Sequence, residues 1–211
     1  MMPTAEEWEK AMIERHSRPV YEKLCAARVA IAGLGGLGSN IAVALARAGV
    51  GELLLVDFDR VELSNLNRQQ YDTEDLGRLK TEALRDRLIK INPYISIRIR
   101  TERVDAANAA EIFGAYRIVC EAFDQPTAKA MLVNTLLDQC PETVVLAGSG
   151  MAGTLSANMI TTRRVLPRLY VSGDGVTDQA DAGALMAPRV AVCANHEAHM
   201  ALRLILGETD A

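Results

Sequence analysis

Apolar residues fall along this chain in short runs of two alternating kinds. Arg28-Val29-Ala30-Ile31-Ala32 and Glu52-Leu53-Leu54-Leu55-Val56 are brief apolar runs of strand length. Between them, Ile41-Ala42-Val43-Ala44-Leu45-Ala46 is rich in helix formers. Lys80 to Ile91 carries Leu84, Leu88 and Ile91 at helical spacing, and Asn92-Pro93 stops it. Ile95-Ser96-Ile97-Arg98-Ile99-Arg100 alternates as a half-buried strand. A short helix over Ala106–Phe113, a strand over Arg117–Ala122, a helix over Thr127–Gln139 and a strand over Thr143–Ala147 follow. At the start, Thr4 with Glu7 reads as a capping box that opens a polar helix (about 4–16), ending near His16.

The order β-α-β-loop-α-β-α-β-α-β predicts an α/β fold: a Rossmann-like, mostly parallel sheet with helices on both faces. After Gly153 the pattern changes. Thr154–Thr162 and Arg168–Ser172 read as strands with no helix between them, so antiparallel strands are expected at one edge near the C-terminal part. Pro188 opens a last helix (about 188–206) that runs to Leu206 and stops at Gly207. No repeat, low-complexity tract or linker interrupts the pattern, which predicts one domain over 1–211.

With 211 residues, 49% of them hydrophobic, the chain has enough apolar material for a full core. A net charge of −4 with mixed signs gives no polyanion-binding signature, so nucleic acid is not an expected partner. No run approaches the ~20 apolar residues that cross a bilayer, so no membrane association is expected. The start, Met1-Met2-Pro3-Thr4-Ala5-Glu6-Glu7, is acidic where a secretory signal is basic. Cys25, Cys120, Cys140 and Cys193 are scattered without a CxxC pair; no zinc is expected, and a cytoplasmic, reducing setting is the simplest reading.

The candidate chemistry begins at Gly33-Leu34-Gly35-Gly36-Leu37-Gly38, between the first strand and the first long helix. Glycines there let backbone N–H groups approach phosphate oxygens, and the helix N-terminus adds its positive dipole end. Asp57 ends the next strand, about 20 residues on, where a carboxylate accepts bonds from a ribose diol. These features serve NAD, FAD, S-adenosylmethionine or ATP about equally. The polar stretch Asp59 to Gly77 is long for a connection in a compact domain, and loops of that size are usually functional. It supplies a guanidinium, Arg68, and amides at Asn65 and Gln69; Lys80 follows with an amine. Fixed cations suit a triphosphate, whose reaction develops further charge on the departing pyrophosphate.

Gly-x-Gly-Gly-x-Gly, then Asp57-Phe58-Asp59-x-Val61-x-x-Ser64-Asn65-Leu66-Asn67-Arg68-Gln69, then Gly77-x-x-Lys80, resembles the ThiF/MoeB family, the adenylating module of the ubiquitin-activating superfamily. The resemblance covers nearly the whole chain and is closest to short ThiF-like proteins, through a late Pro-Arg-Val plus Ala-Asn-His-Glu-Ala helix. It implies that Gly33, Gly35, Gly36 and Gly38 shape the nucleotide loop, that Asp57 holds the ribose, and that Asn65, Arg68, Gln69 and Lys80 surround the phosphates. Arg68 and Lys80 would neutralise the β/γ-phosphates. Asp124 matches the family's magnesium-associated aspartate, although Phe123 and Gln125 replace a small polar residue and Asn; read alone, Asp124 is equally an N-cap of the helix near Thr127. Asp59 is a weaker magnesium or electrostatic candidate. Arg15 and Arg18 resemble an N-terminal Arg-x-x-Arg segment whose second arginine reaches the phosphates of a neighbouring subunit, here with His16 and Pro19 at altered positions.

The implied function is ATP- and magnesium-dependent adenylation of the C-terminal glycine of a ubiquitin-fold sulfur carrier, ThiS-like, in thiamine biosynthesis, by a homodimer. Adenylation of a MoaD-like carrier or of a small molecule keeps the chemistry. A nicotinamide-dependent oxidoreductase and a non-catalytic scaffold are the alternatives from other classes. His199 follows His196 by three positions, not the four of a zinc helix, so both are expected to pack rather than ligate, as is Glu197. Cys120 and Cys193 lie in apolar runs and read as inert thiols. Ser172-Gly173-Asp174-Gly175-Val176-Thr177-Asp178 is expected to form a mobile loop near the carrier tail, or a solvated turn.

Overall fold

The computed structural model describes residues 2–177 and 183–211. Among the described residues it builds a seven-stranded sheet: β1 (Arg28–Ala32), β2 (Glu52–Val56), β3 (Ser96–Arg100), β4 (Ile118–Glu121), β5 (Val144–Gly148), β6 (Thr161–Leu166) and β7 (Leu169–Gly173). Its order is β3-β2-β1-β4-β5-β7-β6. Every neighbouring pair is parallel except β6 with β7, which is antiparallel. The helices are α1 (Ala5–His16), α2 (Arg18–Ala26), α3 (Gly36–Ala48), α4 (Lys80–Ile91), α5 (Ala109–Phe113), α6 (Pro126–Gln139) and α7 (Ala187–Leu206). The expected α/β architecture, with its antiparallel strands near the C-terminal part, is therefore present.

Strand β1 shows why both faces are covered. Val29 and Ile31 point into a core shared with Ile41 and Leu45 of α3, Leu84 and Leu88 of α4 and Cys193 and Met200 of α7. Ala30 and Ala32 point the other way, into a core with Phe113 of α5 and Leu132 and Leu136 of α6. A strand buried on both faces reads as an unbroken apolar run, as this one does. The strand order reverses between β1 and β4, which opens a crevice at the carboxyl ends of these strands. The segments after β1, β2 and β4 all open there.

The departures have local causes. The N-terminal helix runs to His16 with both halves of its capping box formed, but a second helix, α2, follows where none is expected. Pro19 sits in the first turn of α2, where proline's fixed φ is tolerated. The expected strand over Thr154–Thr162 is mostly absent. Gly153 has φ +74°, Ser156 caps a 3₁₀ turn over Ala157–Met159, and β6 starts only at Thr161. Helix α5 is shorter than Ala106–Phe113 because the Asp105 carboxylate accepts the Ala107 and Asn108 N–H groups in a turn first. No described helix is long and apolar enough to cross a membrane.

Candidate active site

The Gly33–Gly38 turn is forced to be glycine at two points. Gly33 has φ +91°, and a Cβ there would stand 2.8 Å from the Ala122 carbonyl oxygen. A Cβ on Gly38 would lie 1.8 Å from the Gly33 carbonyl oxygen. Helix α3 begins directly after Gly35 with no side chain capping its first turn. Its free N–H groups face the crevice end of β1, the geometry by which helix N-termini take anions.

Asp57 stands at the end of β2 and is buried. Its Oδ2 accepts the Leu34 N–H at 2.7 Å and its Oδ1 accepts the Asp59 N–H at 2.8 Å, so this carboxylate ties the glycine turn to the following loop. Burial raises its pKa, against the attraction of Lys80 and the two backbone bonds. Each carboxylate oxygen has a second lone pair, so these bonds leave it able to accept a diol. Lys80, the first residue of α4, is buried and pairs with Asp59 Oδ2 at 2.9 Å. An ammonium buried beside two aspartates, one of them tied to the glycine turn, is a cation fixed at the crevice rather than a solvated surface charge.

Arg68 and Gln69 approach from the other side. The Arg68 guanidinium donates from Nη1 to the Ser64 carbonyl at 3.2 Å and the Asn67 Oδ1 at 2.7 Å. Its Nε is buried without a partner. The aliphatic part of its side chain lies beside Gly36. Gln69 is buried, with its Oε1 unpartnered and its Nε2 near Gly35. Both line a cavity of about 360 Å³ with Asn40 of α3 and Pro188 of α7. Asn65 is spent differently: its Oδ1 accepts the Glu62 N–H and braces the loop.

Asp124 lies exposed just past β4. Gln125, not Asp124, occupies the N-cap of α6, and no side chain caps that helix, so the capping alternative is not realised. Magnesium is commonly held by one or two carboxylates together with phosphate oxygens, and a single exposed aspartate at this edge fits that mode. Among the described residues no group of three His, Cys, Asp or Glu forms a ready metal site. Arg18 is not brought to the others within one chain. It lies exposed at the start of α2, 3.2 Å from Glu9 and 3.8 Å from Glu22; Arg15 is exposed on α1.

Cys120 and Cys193 are buried, and desolvation followed by the nearby Glu197 pushes both thiols up, so neither is an active nucleophile. His196 Nδ1 meets Thr162 Oγ1 at 3.2 Å in a packing role. Of the two expectations for 172–178, the turn is what the described part forms, after β7. Ser172 and Gly173 belong to β7, and Asp174 accepts the Val176 and Thr177 N–H groups while paired with buried Arg189. Asp178 lies outside the described residues. Sequence reasoning missed Glu121, Lys129 and the Arg189–Asp174 pair. The one available signal was a charged residue closing each apolar run: Glu121 after Ile118-Val119-Cys120, and Arg189 ahead of Val190-Ala191-Val192.

A family model described as the ThiF family matches residues 9–211. The adenylyltransferase and sulfurtransferase UBA4 of Eremothecium gossypii is 33% identical over 189 residues, 88% of this chain and 43% of that protein. The chain thus spans less than half the length of that relative. The molybdopterin-synthase adenylyltransferase of Escherichia coli is 34% identical over 195 residues, covering 88% of this chain and 76% of that one. In fold, the chain matches the E. coli tRNA N6-threonylcarbamoyladenosine dehydratase TcdA, solved with ATP, at a TM-score of 0.85 over 98% of both chains. At 20% identity that likeness speaks for the fold alone.

Proposed function

The chain belongs to the ThiF family, and from that premise we propose that it is an adenylyltransferase that uses ATP to activate the C-terminal carboxylate of a ubiquitin-fold sulfur carrier, ThiS-like, for thiamine biosynthesis. The observation that carries this reading is Lys80: a buried ammonium, 2.9 Å from Asp59, at the end of the crevice where the glycine turn and an uncapped helix already favour anions. A nicotinamide dinucleotide, with about two phosphate charges against a triphosphate's four or so, needs less cationic charge there.

In the reaction, a carrier carboxylate oxygen attacks the α-phosphorus of ATP. A new P–O bond forms, the bond to the β-phosphate oxygen breaks, and pyrophosphate leaves. The nucleophile is already ionised at neutral pH, so no general base is required. Rate then comes from alignment and from neutralising the phosphates. Asp57 receives the ribose, the α3 N-terminus and the glycine turn receive phosphate oxygens, and Arg68, Gln69 and Lys80 bind the β/γ end. Asp124 would hold magnesium, which would supply further neutralisation of the phosphates. In this reading the protein is a cytoplasmic homodimer, and Arg18 reaches the partner's nucleotide.

A MoaD-like carrier is the second reading, because one relative is named a molybdopterin-synthase adenylyltransferase. Exchange of labelled pyrophosphate into ATP tests both. Exchange that depends on a Gly-Gly-ended ThiS-like carrier is expected; exchange only with a MoaD-like carrier moves the substrate, and no exchange with either rejects the activity.

A further inference from the structure

Strand β4 ends on a charge in an interior position. Glu121 is fully buried, although the three residues before it are apolar. Its Oε1 accepts the Phe123 N–H at 2.7 Å. Its Oε2 faces the ammonium of Lys129, on α6, at 2.7 Å. The same ammonium donates to the Phe123 carbonyl oxygen at 3.1 Å. Two side chains thus close a ring around one residue's backbone, gripping the peptide that enters Phe123 and the peptide that leaves it. The departing peptide is the one that carries Asp124.

The gripped segment also walls the glycine turn. Ala122 N–H donates to the Ala32 carbonyl at 2.8 Å. A Cβ on Gly33 would meet Ala122 O at 2.8 Å and Phe123 Cδ1 at 3.1 Å. Stability alone does not call for this arrangement. A buried ion pair is often no better than apolar residues of the same volume, because desolvation offsets the attraction. Phe123 stands at a crevice, where water would satisfy its backbone. What the pair adds is a fixed direction for the turn out of β4. Lys129 is itself set by the start of α6, where its N–H donates to the Gln125 carbonyl at 3.0 Å.

We propose that Glu121 and Lys129 are positioning residues: a backbone clamp on Phe123 that holds Asp124 and the wall of the glycine turn in place for the bound nucleotide. The kinetic part of this inference rests on the adenylation reading; the structural part does not.

The test uses full-length Lys129→Met, Lys129→Arg and the double variant Glu121→Leu/Lys129→Met, which removes both grips without stranding a buried charge. Amide exchange of the free protein is read first. The Phe123 amide is expected to exchange at least ~10-fold faster in the double variant, with β1 and β5 unaffected. Pyrophosphate exchange is read second. The kcat is expected to fall about 10-fold or more while KM for ATP moves less than about 3-fold, and Arg is expected to recover most of the loss. Unchanged amide exchange in the double variant overturns the clamp whatever the activity. So does a kcat that falls only in step with the folded fraction and is not recovered by Arg. A wild-type protein that exchanges no pyrophosphate rejects the adenylation reading instead, and the amide result still decides the clamp.

Discussion

The two ends of the sheet treat their carboxylates in opposite ways. At the amino end, Glu52 of β2 is surrounded by donors: Arg28 Nε at 2.9 Å, the Tyr116 hydroxyl at 3.1 Å and Arg98 Nε at 3.3 Å. Burial alone would raise its pKa, but the bonds from Arg28 and Tyr116 and the two arginine charges hold it below the ordinary value. At the carboxyl end, burial leaves Asp57, Glu121 and Glu197 with raised pKa values. Both oxygens of Glu197, Oε1 of Gln69 and Nε of Arg68 have no partner. One end uses its charges up in mutual bonds. The other keeps polar capacity in reserve beside the strand-order reversal, where ligands bind in folds of this kind. A buried polar atom without a partner costs about 1–3 kcal/mol, and the Gln69 and Arg68 side chains that carry two of them lie against the glycine turn.

The strongest break of this contrast is at Gly38. Its Cβ position overlaps backbone, with no flexible side chain to yield, so Gly38→Val should abolish the folded glycine turn and lower the melting temperature sharply. Next is Lys80→Ala, expected to reduce kcat in pyrophosphate exchange by about 10²–10³-fold, the size of one lost electrostatic donor. An unchanged rate there would place Lys80 among structural residues. Glu52→Ala should behave oppositely, costing roughly 1–3 kcal/mol in urea denaturation while the kcat of the folded protein holds. A tenfold fall in kcat would erase the distinction between the two ends.

The smallest effect concerns Glu197. Desolvation pushes its carboxyl well up, opposed by Lys129 and reinforced by Glu121. The folded state therefore favours the protonated form. The stabilisation from this group is complete below the unfolded value near 4.5 and is lost as pH rises toward the raised folded value. Glu197→Gln removes this dependence. Urea midpoints measured from pH 4.5 upward should show the wild type losing ground to the variant, by at most about 1.4 kcal/mol per pH unit. Parallel curves would mean that Glu197 finds a counter-charge on ionising.

Local features carried most of the fold in the sequence. The helix over Lys80–Ile91 begins and ends as its apolar spacing and Asn92-Pro93 require, and Thr4 with Glu7 forms the expected box. Those signals act within a few residues. The helix at Arg18–Ala26 was hidden because only Ser17, with φ +71° and no capping bond, separates it from α1. The Thr154–Thr162 run failed as a strand because the Leu155 and Ser156 carbonyls turn aside to bond Arg189, far along the chain. The site divides the same way. The glycine turn, Asp57, Arg68, Gln69 and Lys80 follow within one stretch of sequence, so the motif brings them to notice together. The Glu121–Lys129 clamp escapes notice, because it forms only when a strand end and a helix meet over one backbone residue. Arg18 remains apart from the site in one chain, so any role for it depends on a second copy.

The most direct measurement is a crystal structure of the protein with a non-hydrolysable ATP analogue and magnesium. The account predicts the triphosphate across the α3 N-terminus, with the Lys80 ammonium and the Arg68 guanidinium each about 2.7–2.9 Å from a β- or γ-phosphate oxygen. A nucleotide bound elsewhere, or phosphates touched by neither cation, would contradict it.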